Sequence, residues 1–381
     1  MKRVAGKPAV SAGAEADFRD PTFSEDVIHW QKRHGRHALP WQNTDDAYRI
    51  WLSEIMLQQT QVAAVIPYYE RFLERFPDVR ALAQASQDEV MAYWSGLGYY
   101  SRARNLHRCA QRVVQEYGGV FPAEPALLAD LPGIGRSTAA AITAFANGTR
   151  AAILDGNVKR VFCRVFGVEG DPGTKPVEDM LWKRAEALLP QSGMQAYTQG
   201  LMDLGATVCV RGNPLCSACP LAARCVALAT GRTRELPHRK PKKAVPEKHA
   251  SMLVIVSGGD ILLEQRPDSG IWGGLLSLPE MPSLHQVESR AEFEALAAEA
   301  ATAYGRVSRV QALPAFTHVF THFKLHVMPV RVDVSRPSTD AALPPGAAWH
   351  PVTSLANAAL PAPVKKLLLA LFGAPDLLSG L

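Results

Sequence analysis

Along residues 23–230 apolar side chains return every three to four positions, the repeat of a helix with one buried stripe. The segments that carry it are Phe23–His34, Tyr48–Gln59, Val62–Phe76, Asp88–Gly96, Ala103–Tyr117, Ser137–Ala146, Val158–Phe166, Val177–Leu189 and Tyr197–Val208. Short Gly- and Pro-containing connections join them and no alternating strand interrupts, so this half is predicted to be all-α. From His249 the pattern changes. Met252–Val256, Ile261–Gln265, Thr317–Phe320 and Lys324–Val332 are rich in β-formers, and Ser257-Gly258-Gly259-Asp260 reads as a hairpin turn between the first two. Glu288–Tyr304 and Val364–Phe372 keep helical spacing, which makes the second half α+β.

Length supports two domains, since 381 residues exceed what one hydrophobic core organises. A composition of 47% hydrophobic and 20% charged residues excludes wholesale disorder. No apolar run approaches the ~20 residues of a membrane helix. The first twenty residues mix Lys2, Arg3 and Lys7 with Glu15 and Asp17 and have no apolar stretch, which argues against a targeting peptide. A soluble, cytoplasmic protein is expected. The net charge of +5 is concentrated: Arg232, Arg234, Arg239, Lys240, Lys242, Lys243 and Lys248 face only Glu235 and Glu247, among Pro237, Pro241 and Pro246. Such a stretch is an extended basic linker, suited either to tracking a phosphate backbone or to serving as a solvated hinge. The predicted division is a disordered tail over 1–22, a helical domain over 23–230, the linker over 231–248 and a second domain over 249–372.

Candidate chemistry is concentrated at a few places. Cysteines fall as Cys209-x6-Cys216-x2-Cys219-x5-Cys225. Crowded thiolates repel unless a metal neutralises them, and a cytoplasmic setting disfavours a disulfide framework. Zinc sites pair two short Cys-x-x-Cys knuckles, whereas one knuckle with uneven loops suits the cube of a [4Fe–4S] cluster better. Cys109 and Cys163 sit among apolar neighbours and read as core. Leu131-Pro132-Gly133-Ile134-Gly135-Arg136-Ser137-Thr138-Ala139 joins two helices with glycines that let bare N–H groups approach a phosphate at a helix N-terminus, a helix–hairpin–helix that grips DNA backbone. Asp155 precedes a helix, where an N-cap is the simplest role. Glu54 has Ile50, Trp51 and Leu57 at its helical neighbour positions. It is either an acid on a solvated face or a desolvated one, whose raised pKa makes a usable proton donor.

These residues together resemble a known family. Leu39-Pro40-Trp41, Trp51 through Val62 with Glu54 inside it, Gly96-Leu97-Gly98-Tyr99-Tyr100-Ser101-Arg102-Ala103-Arg104-Asn105-Leu106, the hairpin, Ile153–Arg160 and the cysteine loop are similar to the adenine DNA glycosylases of the helix–hairpin–helix superfamily. The resemblance implies removal of adenine mispaired with 8-oxoguanine or guanine in double-stranded DNA, by a monomer. It implies that Glu54 acts as general acid at N7 of adenine and that Asp155 stabilises an oxocarbenium ion, with Asn157 nearby. Gln59 and Tyr99 match wedge positions, and Leu57 is a further candidate; Gly133, Gly135 and Ser137 belong to the DNA-gripping hairpin. A [4Fe–4S] cluster on Cys209, Cys216, Cys219 and Cys225 follows from the same likeness.

Endonuclease III-like glycosylase/lyases are the near alternative, but they place a Schiff-base lysine where this chain has Ser137, so a monofunctional enzyme is expected. A DNA-binding protein without catalysis is the alternative of another class; the presence of both Glu54 and Asp155 counts against it. Residues 249–370 resemble the Nudix-like C-terminal domain of the same family through Gln265-Arg266-Pro267, Gly270 to Leu275 and Pro279-Glu280. The stretch Ser289–Gly305 lacks the adjacent glutamates that a pyrophosphate hydrolase needs for Mg²⁺, so recognition without separate hydrolysis is expected. Phe320-Thr321-His322 matches a loop that contacts 8-oxoguanine, with Thr where Ser is usual; a plain β-turn is its other reading.

Overall fold

The computed structural model describes residues 18–238, 245–281, 289–336 and 343–373. In chain order the helices of the first half are α1 (Pro21–His34), α2 (Ala47–Leu57), α3 (Val62–Arg75), α4 (Val79–Gln84), α5 (Gln87–Trp94), α6 (Ser101–Tyr117), α7 (Pro125–Ala129), α8 (Arg136–Asn147) and α9 (Gly156–Val165). They continue with α10 (Lys175–Ala187), α11 (Met194–Asp203) and α12 (Val226–Ala229). Strands β1 (Glu247–Ser257), β2 (Asp260–Gln265), β3 (Leu276–Ser277) and β4 (Glu280–Met281) follow, then α13 (Arg290–Ala301). Strands β5 (Arg306–Ala312), β6 (Phe316–Val319), β7 (Lys324–Ser335) and β8 (Ala347–Pro351) precede α14 (Ala362–Phe372). The helical half and the α+β half are thus as the hydrophobic pattern predicts.

Compactness divides the chain differently. One unit joins residues 1–54 to 121–240, the other joins 55–120 to 241–381. In the first, Phe23, Val27 and Trp30 of α1 pack with Ala140, Ala144, Val158, Phe162, Leu181, Tyr197 and Leu201. Phe23 and Phe162 meet edge to face with ring centroids 5.9 Å apart. Order reaches into the segment read as a tail. The Asp20 carboxylate caps α1 by accepting from Phe23 N at 3.2 Å, and Arg224 pairs with Asp20 and Asp26; residues 1–17 lie outside the described residues.

The stretch read as an extended linker is also packed over its first part. Leu236 is buried and its carbonyl accepts from Arg164 Nε at 2.9 Å, while Arg232 pairs with Glu169 at 2.6 Å and Glu235 at 3.0 Å. One apolar anchor and a distant counter-ion outweigh a composition of prolines and charges. Arg239, Lys240, Lys242 and Lys243 lie outside the described residues.

In the second unit a mixed sheet runs β3-β2-β1-β7-β5, with β4 on β1, β6 on β7 and β8 on β2. β1 and β7 pair in parallel from Glu247 with Lys324 to Val256 with Asp333. Continuous burial of β1 from Ser251 to Val256 marks it as a central strand covered on both faces. The predicted turn closes β1 onto β2 with Ser257 opposite Asp260, and Gly258 takes the left-handed φ of +63° that this turn requires. α13 packs Phe293, Ala297 and Ala301 on Leu253, Ile255, Val330 and Val332. Its Glu294 accepts the Ala312 N–H at 2.8 Å and pairs with Arg290, so this acid is engaged in holding β5. In the same unit the segment 55–120 buries Tyr69, Phe72, Phe76, Leu82, Met91, Trp94 and Leu106.

Candidate active site

Helix α2 starts where Asp46 accepts the Tyr48 N–H at 2.9 Å, and it carries Glu54 two turns on. One turn before Glu54, Trp51 is fully buried against Phe121, their ring centroids 5.1 Å apart. Glu54 therefore sits in an apolar wall. Burial pushes its carboxyl up to about 8, and the nearby charge of Asp155 adds to the rise. Of the two readings of Glu54, the desolvated acid is the one its surroundings match.

Asp155 is the N-cap of α9, as its position before a helix predicts. Its Oδ1 accepts from Asn157 N at 3.0 Å and Val158 N at 2.8 Å, and its Oδ2 accepts from Asn157 Nδ2 at 3.3 Å. Burial raises its pKa, while those hydrogen bonds and the Arg160 charge work against the rise. Capping and proximity to Glu54 coexist in one carboxylate. Two acids thus share a desolvated space with opposite support: Glu54 has a penalty for charge, Asp155 has donors that stabilise charge. Both carboxyls are shifted up, and hydrogen-bond donors oppose the shift at Asp155.

The backbone before Asp155 is held by the hairpin. Gly133 adopts φ +80°, both Gly133 and Gly135 are exposed, and Gly135 caps α8. The N–H groups of the first turn of α8 have no partner within the helix, which is the feature that suits an anion. Ser137 Oγ faces inward and accepts from Leu154 N at 2.9 Å. Arg136 stacks over Trp182, 3.8 Å from the ring centre, and pairs with Glu186.

Periodicity left two buried arginines of α9 unnoticed. Arg160 donates to Asn157 Oδ1 at 2.9 Å, to Cys209 O at 2.7 Å and to Gly205 O. Arg164, 2% exposed, donates to Cys209 Sγ at 3.3 Å and Val210 O at 2.7 Å. Both stand on a helix among Val158, Val161 and Phe162, and a charge inside an apolar stripe was the signal available. Gly205 lies in a π-turn over Leu204–Val208, where a Cβ would come within 2.4 Å of Asn157 Cβ.

The cysteine loop follows that turn. Cys209, Cys216, Cys219 and Cys225 line one cavity together with Val161, Arg164, Val208 and Pro214. Backbone N–H groups of Leu221, and of Ala227 and Leu228, point at Cys219 and Cys225 respectively. Among the described residues no three His, Cys, Asp or Glu side chains are placed to hold a single metal ion. Four soft sulfur donors with N–H and guanidinium partners match a thiolate-held cluster. Cys109 and Cys163 are buried core, their thiols pushed up to about 12 and about 11 by burial.

In the other unit, Gln59 and Tyr99 are exposed at the ends of α2 and of the α5–α6 loop, with φ of 57° and 48°. Left-handed backbone costs a residue with a Cβ roughly 1–2 kcal/mol, so both are held there against a penalty. Leu57 is half-buried at the last position of α2. Phe320, Thr321 and His322 form the turn between β6 and β7, closed by Phe320 N donating to Phe323 O at 2.8 Å. Phe320 stacks on Phe323 at 4.3 Å and meets His318 edge-on at 4.5 Å, leaving Thr321 and His322 exposed. The hydroxyls of Tyr99 and Thr321 share a hydrogen bond of 2.8 Å.

Comparison with known proteins identifies the family. Residues 52–187 match the family described as HhH-GPD superfamily base excision DNA repair protein, and residues 251–370 match the NUDIX domain. The chain is 33% identical over 346 residues to the adenine DNA glycosylase of Buchnera aphidicola subsp. Acyrthosiphon pisum, covering 91% of this chain and 96% of that one. It is 36% identical over 408 residues to the adenine DNA glycosylase of Mus musculus, covering 92% and 78%. A solved thermostable thymine-DNA glycosylase superposes with a TM-score of 0.50 at 29% identity, over 55% of this chain and 96% of its own. No described helix is long and apolar enough to cross a membrane. At these identities, over nine-tenths of its length, the chain belongs to the adenine DNA glycosylase family.

Proposed function

We propose that this chain, acting as a monomer on duplex DNA, hydrolyses the N-glycosyl bond of adenine mispaired with 8-oxoguanine or guanine and leaves the strand uncut. The observation that carries the reading is the Glu54 carboxyl, pushed up to about 8 near Asp155, the N-cap of α9. An acid that keeps its proton at neutral pH donates it to N7 of the flipped adenine, turning a poor anionic leaving group into a neutral one. As the bond breaks, positive charge develops on the sugar. Asp155 stabilises it; the donors from Asn157 and Val158 favour its charged form against burial and aim the carboxylate.

Gln59 and Tyr99, with Leu57, fill the gap left by the extruded base. Gly133, Gly135 and Ser137 belong to the hairpin that takes the phosphate, and Ser137 offers no amine for a Schiff base. Phe320, Thr321 and His322 read the opposing 8-oxoguanine, a role to which the Tyr99–Thr321 bond lends support by putting wedge and reader side by side. Cys209, Cys216, Cys219 and Cys225 hold a [4Fe–4S] cluster, which supplies iron–thiolate cross-links to their loop. The proposed domains are 23–230 for chemistry and 249–372 for recognition, joined through 231–248.

Single-turnover assays on duplexes carrying adenine opposite 8-oxoguanine, guanine or thymine test the reading. Adenine release from the first two, with strand breaks only after alkali, is the expected result. Release of thymine, or a strand cut without alkali, overturns it.

A further inference from the structure

Gln59 and Tyr99 lie on different loops, yet one buried side chain reaches both. Arg102, on α6 and 7% exposed, sends Nη1 to the carbonyls of Ile55 at 2.9 Å, Met56 at 2.8 Å and Gln58 at 2.7 Å. Its Nη2 donates to Thr60 Oγ1 at 3.1 Å, Leu97 O at 3.3 Å and Gly98 O at 3.1 Å. The guanidinium carbon lies 5.2 Å from the Trp94 ring centre and 5.5 Å from that of Tyr99. Among the described residues its Nε has no partner, so the hydrogen bonds of this cation run through the two terminal nitrogens.

The pattern is more than a helix cap. Carbonyls at the end of α2 need external donors, and Ile55 and Met56 find one here. Gln58 O and Gly98 O are different: each belongs to the peptide unit immediately before a left-handed residue, Gln59 at φ 57° and Tyr99 at φ 48°. Holding that peptide plane fixes the side of the φ torsion that precedes each of these residues. A planar fork with donors in two directions spans two loops at once, whereas a lysine offers a single point.

We propose that Arg102 is a positioning residue which locks the paired wedges, Gln59 and Tyr99, at a set separation and backbone angle before DNA arrives. The inference rests on the reading of those two residues as wedges. Arg102 itself touches no reacting atom. Its effect is on base extrusion, through the preformed geometry of the side chains that replace the base.

The test is a cycle in the full chain: Arg102→Lys alone, Gln59→Ala with Tyr99→Ala, and all three substitutions. Each is measured by single-turnover adenine release from an adenine:8-oxoguanine duplex and by emission of 2-aminopurine placed next to the target adenine, which reports unstacking. Arg102→Lys should slow release about tenfold and weaken the emission change when the wedges are present, and add less than about twofold when they are absent. An equal loss in both backgrounds assigns Arg102 to structure alone and overturns the inference. Wedge substitutions that leave release at the parent rate overturn the wedge reading instead, and this inference with it. Should Arg102→Lys fail to fold, Thr60→Val removes one acceptor at nearly constant volume, and the same cycle applies. It should slow release a few-fold only where both wedges remain; a loss that is absent, or equal in both backgrounds, overturns the inference.

Discussion

Ser137 Oγ accepts the Leu154 N–H at 2.9 Å, so the helix that follows the hairpin grips the backbone one residue ahead of Asp155. The serine thus holds the main chain that leads into Asp155, whatever it does toward phosphate. Ser137→Ala leaves a partly buried amide without its acceptor, at a cost of about 1–3 kcal/mol in stability. We expect adenine release to slow by roughly tenfold while duplex affinity and its salt dependence stay unchanged. Weaker binding at an unchanged rate would make Ser137 a phosphate ligand and nothing more.

As the proposed general acid Glu54 would need its proton, so the single-turnover rate should fall as pH rises through about 8. Glu54→Gln should keep mispair affinity, lower release by about 10²–10⁴-fold and abolish that alkaline limb. A variant that retains near-normal cleavage removes Glu54 from the chemistry.

The same carboxyl sets a stability trend. Between its unfolded value of 4.5 and its folded value of about 8 the native protein holds a proton that the unfolded chain has lost. Stability therefore declines as pH rises across that window, and the whole cost is present above it. Asp155, also raised by burial, contributes with the same sign. Urea unfolding should find Glu54→Gln close to the parent at about pH 4 and more stable at about pH 8.5. A parallel pH dependence of the two proteins would show that Glu54 is not desolvated.

Anaerobically purified protein should be brown and contain about four irons per chain. Cys219→Ser should lower that content and loosen the loop from Cys209 to Cys225. Stoichiometric zinc without iron would remove the cluster assignment.

Thr321→Val keeps the volume of the side chain and removes its hydroxyl. One hydrogen bond contributes roughly 0.5–1.5 kcal/mol, so preference for 8-oxoguanine over guanine opposite adenine should drop a few-fold. The rate on the adenine:guanine duplex should not change. An unaltered preference would leave Phe320–His322 as a plain turn.

Amphipathic helices of ten or more residues were legible because their stripe has room to repeat: α1, α3, α6 and α9 begin and end within two residues of their predicted bounds. Helices α4, α7 and α12 were missed because four to six residues are too few to display a period. Strands β5 and β8 escaped for another reason. Much of β5 is exposed, β8 is built from Ala, Trp, His and Pro, and their places come from pairing with β7 and β2, which local pattern does not record. Glu54 was conspicuous as an acid among apolar neighbours. Arg102 carries the same signature in reverse, a cation in register with Leu106, Cys109 and Val113 on the buried face of α6. What no spacing rule reveals is its reach to carbonyls on two loops.

The grouping of residues 55–120 with the β-rich part has a consequence for how such genes can recombine. A crossover within the basic linker would preserve both acids and all four cysteines, and on linear order alone it exchanges one module cleanly. It would also discard the Leu360 carbonyl that accepts Ser95 Oγ at 2.7 Å, the Gly273 carbonyl that Arg104 holds, and the Thr321 hydroxyl against Tyr99. Two of these are main-chain acceptors, defined by loop shape more than by residue identity. An incoming domain must therefore reproduce backbone contours, and shuffling at the linker should succeed only between sequences whose loops at 273 and 360 already coincide.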